Sequence, residues 1–161
     1  MASFTAAQIS ELTTEQITGL ETDQLAALAT DRIVALETVQ AAALTGTQVA
    51  ALGTEQVAAM QTRDIAAILP GSITSMTTDQ IVALGTNGID ALATEQAAAL
   101  TTEQVNAMTT EQVGALETSD LAALSTDAIR ALGTDDLNAM STKQITSLAE
   151  TQVGALTTDQ V

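Results

Sequence analysis

The sequence predicts an all-α solenoid of short helices, and three observations predict it. One eight-residue phrase runs through the whole chain, its bulky apolar residues fall at two fixed positions, and a helix-start signal returns in each copy. A short fixed period of this kind is the mark of repeat architectures, in which no unit buries its own apolar face and each is stabilised by its neighbours. The phrase is plainest at residues 101–116, TTEQVNAMTTEQVGAL, where it occurs twice in succession.

With positions written a to h and a placed at Thr5, the phase holds from Phe4 to Val161 without insertion or deletion. Residues 1–161 therefore read as a single repeat array: nineteen complete octads over 5–156, a truncated octad at 157–161, and Phe4 at h of an incomplete octad ahead of them. Position e (Ile9, Ile17, Leu25, Ile33 and onward) and position h (Leu12, Leu20, Leu28, Leu36 and onward) are never polar. Position g is almost always Ala, Gly or Ser, with Glu11 the one bulky exception. Small residues there permit close backbone approach while e and h fill the core.

A continuous helix cannot carry this pattern. At about 100° per residue, eight residues overshoot two turns by about 80°, and the apolar stripe would wind around the helix. The helix must break once per octad. Thr, Ser or Gly often stands at a, Thr usually at b, frequently an acid at c and usually Gln at d. A Thr oxygen can satisfy the free N–H groups of a helix start, and an acid there complements the dipole. Position a would give a Thr-x-x-Gln capping box and put Pro70 at N1, where Pro is tolerated. Position b is the more regular Thr, and on that ground we expect b to be the N-cap. Helices of about six residues are then too short to be stable alone and depend on stacking. The rival fold is a β-solenoid, which also favours Thr, Val and Ile. Ala at f and g and Glu or Gln at c and d lean to helix.

A second period is superimposed. With octads numbered from zero at Thr5, the Met residues at h (Met60, Met76, Met108, Met140) fall in even octads, and all four basic residues (Arg32, Arg63, Arg130, Lys143) fall in odd ones. This predicts a 16-residue unit of two inequivalent helices as one coil, with one row more solvated than the other. Ten coils at a packing distance of about 9 Å would make a rod of about 90 Å.

Composition bounds the function. The formal charge is −16, from 20 acidic and 4 basic residues, and 46% of residues are apolar. That apolar share exceeds what a disordered acidic chain carries. The charge repels nucleic-acid phosphates and anionic lipid, so neither nucleic acid nor membrane insertion is expected. No apolar run approaches the roughly 18 residues of a membrane span. With no Cys and no His, disulfides, thiolate metal sites and most general bases are excluded. We expect no catalytic residue, no cofactor and no metal. The carboxylates at c recur on a register, as solvated helix-start acids do. No calcium-loop motif occurs, although hard cations could lie between acidic rows. A regular Thr array could match an ice lattice and an acidic rod could imitate DNA, which gives ice binding and DNA mimicry as remote alternatives.

Two features interrupt the uniformity. Octad 69–76, LPGSITSM, brings in Leu69, Pro70 and Gly71, and Gly88 and Asp90 follow two octads later. Residues 69–92 read either as drift at a tolerant coil or as a kink or ligand-facing loop, and Pro70, Gly71, Gly88 and Asp90 are the candidate patch. At the ends, Phe4 is expected to act as a lid on the first coil. The C-terminal TTDQV lacks a polar capping repeat, which predicts a segment of a longer array or end-to-end stacking of copies. Met1-Ala-Ser-Phe-Thr has neither a basic nor an apolar signal region, so any export signal is expected outside this chain.

The phrase TTEQVNAMTTEQVGAL resembles the octapeptide arrays, L-T-T-x-Q-[IV]-x-A-L, of very long bacterial proteins described as adhesin-like or haem-utilisation proteins. The resemblance covers the whole chain and implies a secreted or surface-exposed repeat segment. It does not extend to haem ligands: His, Cys and Tyr are absent, and the Met residues at h lie on the core stripe. A shorter likeness is to the first helix of TAL-effector repeats, L-T-P-E-Q-V-V-A-I; those repeats are about 34 residues long and bind DNA, whereas this one is eight and strongly acidic, so the likeness is one of helix-start chemistry only. The expectation is a structural spacer or scaffold segment of a long bacterial secreted or surface protein, extracellular or at the cell surface, with a protein-binding solenoid as the alternative.

Overall fold

A computed structural model describes residues 4–161. Among them are nineteen α-helices of four to six residues and no strands, one helix to each complete octad, from Ala6–Ser10 to Glu150–Val153. The fold is an α-solenoid, and the β-solenoid alternative is set aside.

The N-cap is position a, not b. Thr13 is extended at φ −72°, ψ 160° and its side chain accepts the N–H of Gln16, while Thr14 at b is the first helical residue. Pro70 stands at N1 of Pro70–Ile73 behind an extended Leu69, the conformation a residue before Pro prefers. The regularity of Thr at b misled the expectation. The cap at a is less regular in sequence because only part of its work is done by its own side chain. The Gln at d accepts the backbone N–H of a whatever residue stands there, as at Gly53 (2.7 Å) and Ala93 (2.7 Å).

The apolar stripes behave as the pattern requires. Position e is buried from Ile9 to Leu137 and position h from Leu36 to Met140, forming one continuous core. The coil is not the predicted pair of octads. Each helix packs on the helix three octads away: Thr94–Ala99 on Thr118–Ala123, and Thr102–Asn106 on Thr126–Ala131. Side chains at d reach four octads back, as Gln40 does to the carbonyls of Ile9 and Leu12. One superhelical turn therefore takes between three and four octads, and the chain turns through 90–120° per octad (360° divided by four or by three).

The backbone explains the difference. At a typical break, the residue at h and the residue at a are both extended, as Leu52 (φ −65°, ψ 140°) and Gly53 (φ −70°, ψ 155°) are. A two-octad coil would need a full reversal at every break, which two successive extended residues do not make. Only Gly85 has positive φ among the described residues. The even–odd alternation thus has no packing counterpart, and e and h are equally buried in both sets. With three to four octads per turn and turns about 9 Å apart, the array is about 45–60 Å long rather than 90 Å.

Gly85, at φ +64°, marks one local departure. Leu84 there stays helical (φ −57°, ψ −27°), so Gly85 turns the chain by a left-handed step open to glycine at little cost. The helical Leu84 also explains Gly88. A Cβ on Gly88 would lie 2.9 Å from Leu84 Cβ and 3.3 Å from Ile65 Cδ1.

Candidate functional surfaces

The residues that position everything else are the glutamines at d. Thirteen of the twenty d positions are Gln. Each of these glutamines within a helix is its third residue, which brings its Oε1 back to the N–H of its own N-cap. Gln104 is representative: Oε1 accepts from Thr101 N at 2.9 Å, and Nε2 donates to Ile73 O at 2.8 Å and Met76 O at 2.9 Å. Gln48, Gln56, Gln80, Gln96 and Gln152 repeat this double donation to the e and h carbonyls four octads earlier.

The reason is the shortness of the helices. A helix end leaves carbonyls without intrahelical donors, and a break every eight residues multiplies them along the core. The h carbonyl and the second lone pair of the e carbonyl, which already accepts the N–H of h (Met76 N to Ile73 O, 3.0 Å), face the next turn, where one side chain must donate twice while accepting once. A primary amide does this and a carboxylate cannot. The sequence carries that signal. Glu is common at c and absent from d, although an ordinary capping box accepts Glu as readily as Gln. Sequence reading placed Gln at d only as half of a local box.

The exceptions at d are informative. Arg32 Nε donates to Phe4 O at 3.1 Å, and Ser72 Oγ to Leu44 O at 3.0 Å, so both keep the link to h four octads back. Asp64, Asp120 and Asp136 are a methylene shorter and turn to the hydroxyls of Thr38, Thr94 and Thr110, at 2.8, 2.8 and 2.9 Å. Asp64 and Asp120 are each 1% exposed, and the second carboxylate oxygen of each has no hydrogen-bond partner. The Arg63 guanidinium lies 3.5 Å from Asp64, an arrangement that Asp120 does not share.

The candidate patch is not one surface. Pro70 and Gly71 lie in Pro70–Ile73, while Gly88 and Asp90 lie in Gly85–Asp90, and each helix packs on partners three octads away. Gly88 is buried, whereas Gly71 and Asp90 are exposed. The array runs unbroken through 69–92, with Ile73, Met76, Ile81, Leu84, Ile89 and Leu92 all in the core. Phe4 is half-buried against the same core, as are Leu12, Leu20 and Leu28. It therefore covers its own share of the first turn and leaves the other three positions partly open.

Shallow open grooves run between turns, one of them bordered by Ala26, Thr30, Gly53 and Glu55. Among the described residues no group of three or more acidic side chains could hold a metal ion, and no helix is long and apolar enough to cross a membrane. The acids at c lie on exposed positions that follow the superhelix around its circumference.

The fold and the ladder define a class, a tandem-repeat solenoid built from one octapeptide. The chain belongs to the ALTTAQ repeat family, whose model matches residues 17–54, 57–94, 75–110, 89–118, 113–150 and 131–161. The six letters are positions g, h, a, b, c and d, as in Ala99 to Gln104. No match was found among curated proteins, nor among solved structures.

Proposed function

We propose that this chain is a structural spacer or scaffold segment of a longer secreted or surface-exposed bacterial protein, and that it has no catalytic role. The observation that supports this reading is the uniformity of the ladder. Nine of the sixteen d residues from Gln40 to Gln160 are glutamines whose amide spans the same two carbonyls, at separations of 31 and 28 residues. Interactions of this kind add length without adding a unique site, as a spacer requires. The dense negative charge on exposed positions keeps such a rod soluble and discourages lateral association. The non-integral number of octads per turn also winds the Thr row around the axis, which disfavours a flat ice-matching face.

Export and surface display rest on the likeness to octapeptide arrays of large bacterial proteins. The protein-binding alternative draws on one observation, the exposed Leu69 (58%) beside Pro70. Two measurements separate the readings. A spacer lengthens in fixed steps, so adding or removing blocks of seven octads should change the maximum dimension in solution by two turns each time. The L69E variant should leave every property of the native protein unchanged. Loss of a partner on L69E, or block variants that do not change length in proportion, would favour the binder. Fractionation of the native host with an antibody to this array tests the location, and recovery only from the cytoplasm would overturn it.

A further inference from the structure

Three aspartates stand at d, each a buried or half-buried carboxylate where the array elsewhere places an amide. Asp136 is fully engaged: Oδ1 accepts from Thr110 Oγ1 at 2.9 Å and Oδ2 from the N–H of Gly133 at 2.9 Å. Asp64 has the Arg63 guanidinium 3.5 Å away, so the chain itself supplies a counter-charge. Asp120 has neither. Its Oδ1 accepts from Thr94 Oγ1 at 2.8 Å and from Ser119 Oγ at 3.3 Å, and its Oδ2 is buried without a partner. Position c, which holds Arg63 beside Asp64, holds Ser119 here. The backbone opposite offers more acceptors. The register that brings Gln104 to Ile73 O and Met76 O brings Asp120 to the e and h carbonyls of Ile89 and Leu92. Ile89 O accepts the N–H of Leu92 at 3.1 Å. Among the described residues no side chain donates to either carbonyl, and no backbone N–H reaches that of Leu92.

We infer that a monovalent metal cation, sodium or potassium, is held between the carboxylate of Asp120 and the carbonyls of Ile89 and Leu92. The glutamines show where it stands. Nε2 of Gln104 lies 2.8 Å from one carbonyl and 2.9 Å from the other. Asp is a methylene shorter than Gln and has no such nitrogen, so a cation in that position meets the carboxylate and both carbonyls together. Backbone carbonyls are proven ligands of monovalent cations, whose hydration shell they replace. With no positive charge at hand, a buried carboxylate set against two acceptors bears its desolvation cost without a compensating attraction. One carboxylate balances one charge, whereas divalent sites draw on several carboxylates and would leave an excess charge buried here. The ion does what two amide protons do in neighbouring octads: it ties octad 117–124 to octad 85–92. Both octads lie inside the array, with further helices before and after them. One turn of the superhelix thus closes on a cation, and its stability follows the salt around it.

Thermal unfolding followed by circular dichroism tests it in the chlorides of sodium, potassium and tetramethylammonium at one fixed ionic strength. Screening of the −16 charge is then the same in all three, whereas tetramethylammonium is too large and too apolar to sit among these oxygens. Tm should be higher in sodium or potassium by about 2–4 °C once the metal ion exceeds its dissociation constant several-fold, and the ion that gives the larger rise is the occupant. D120N and D120Q replace the carboxylate by an amide that brings its own protons, so both should lose the difference between salts. The gain of D120Q over the native chain should be widest in tetramethylammonium. D64N should keep the difference, because the Arg63 guanidinium already serves that site. Hydrogen exchange should slow on addition of the metal ion in 89–94 and 117–124. Equal Tm values for the native chain in the three salts would overturn the inference, as would a difference that survives in D120N and D120Q. If D120N fails to fold, D120Q decides, since it carries the residue found at thirteen other d positions.

Discussion

Replacing Gln104 by Glu should be far more harmful than making the same change at Gln8, although both residues sit at position d of near-identical octads. Gln104 is 2% exposed and makes three hydrogen bonds, two of them as donor to Ile73 and Met76. Q104A removes all three, a loss of about 1.5–4.5 kcal/mol at about 0.5–1.5 kcal/mol each. Q104E retains the bond from Thr101 N but sets a buried carboxylate against two carbonyls, and about 3–5 kcal/mol is typical of an uncompensated buried charge. Gln8 is exposed and its amide donates to no carbonyl among the described residues, so Q8E should fall within about 0.5 kcal/mol of the native 161-residue chain. Urea unfolding followed by circular dichroism measures the difference in dilute solution. Hydrogen exchange locates it, with faster exchange expected in 73–76 and 101–108. The deficit of Q104E should also depend on pH. Desolvation raises the pKa of the introduced carboxyl in the folded state above its unfolded value, so the penalty is fully present above the folded pKa. It shrinks as pH falls through that value, because the neutral acid regains one donor. Equal costs for Q104E and Q8E would refute the ladder as the link between turns.

Three further outcomes follow from the same geometry. D120Q should stabilise the chain by about 1–3 kcal/mol, because it replaces a buried oxygen without a partner by the amide used at neighbouring octads; thermal unfolding reads this as a higher Tm. G85A should lower stability by about 1–2 kcal/mol, since φ of +64° places an added Cβ against the following carbonyl. G88A should cost about 1–3 kcal/mol, because its Cβ would meet Leu84 Cβ at 2.9 Å, an atom that L84A retains, so a double variant with L84A should recover none of that loss.

How much of this was legible in the sequence differs by level. The octad phase, the e and h core and the helical nature of each unit came directly from periodicity, because a break per octad is the only way eight residues keep two apolar positions on one face. The number of octads per turn was not legible. It depends on the angle at each break, which is set by two extended residues whose φ and ψ no side-chain pattern encodes. The alternation of Met60, Met76, Met108 and Met140 with the basic residues suggested a pairing that the packing does not use. The N-cap was misplaced because Thr at b is conspicuous, while the partner that makes a the cap is Gln at d. The irregular residues at 69–92 resolve into two separate local adjustments, Pro70 at a tolerant N1 and the Leu84, Gly85 and Gly88 trio. The absence of Glu from d was visible from the start, and it becomes meaningful once the amide is seen to face two carbonyls.

The central claim is that an octad meets its neighbours three and four octads away rather than two. The chain has no cysteine, so introduced pairs report contact without interference. Thr94 Oγ1 lies 2.8 Å from Asp120 Oδ1, three octads on in the array. Position d two octads on is Gln112. Under mild oxidation of the monomer, T94C/D120C should form an intramolecular disulfide, because such a bond needs Cα atoms within about 7 Å. T94C/Q112C should remain reduced. A disulfide in T94C/Q112C, with T94C/D120C left open, would restore the 16-residue coil and contradict the account.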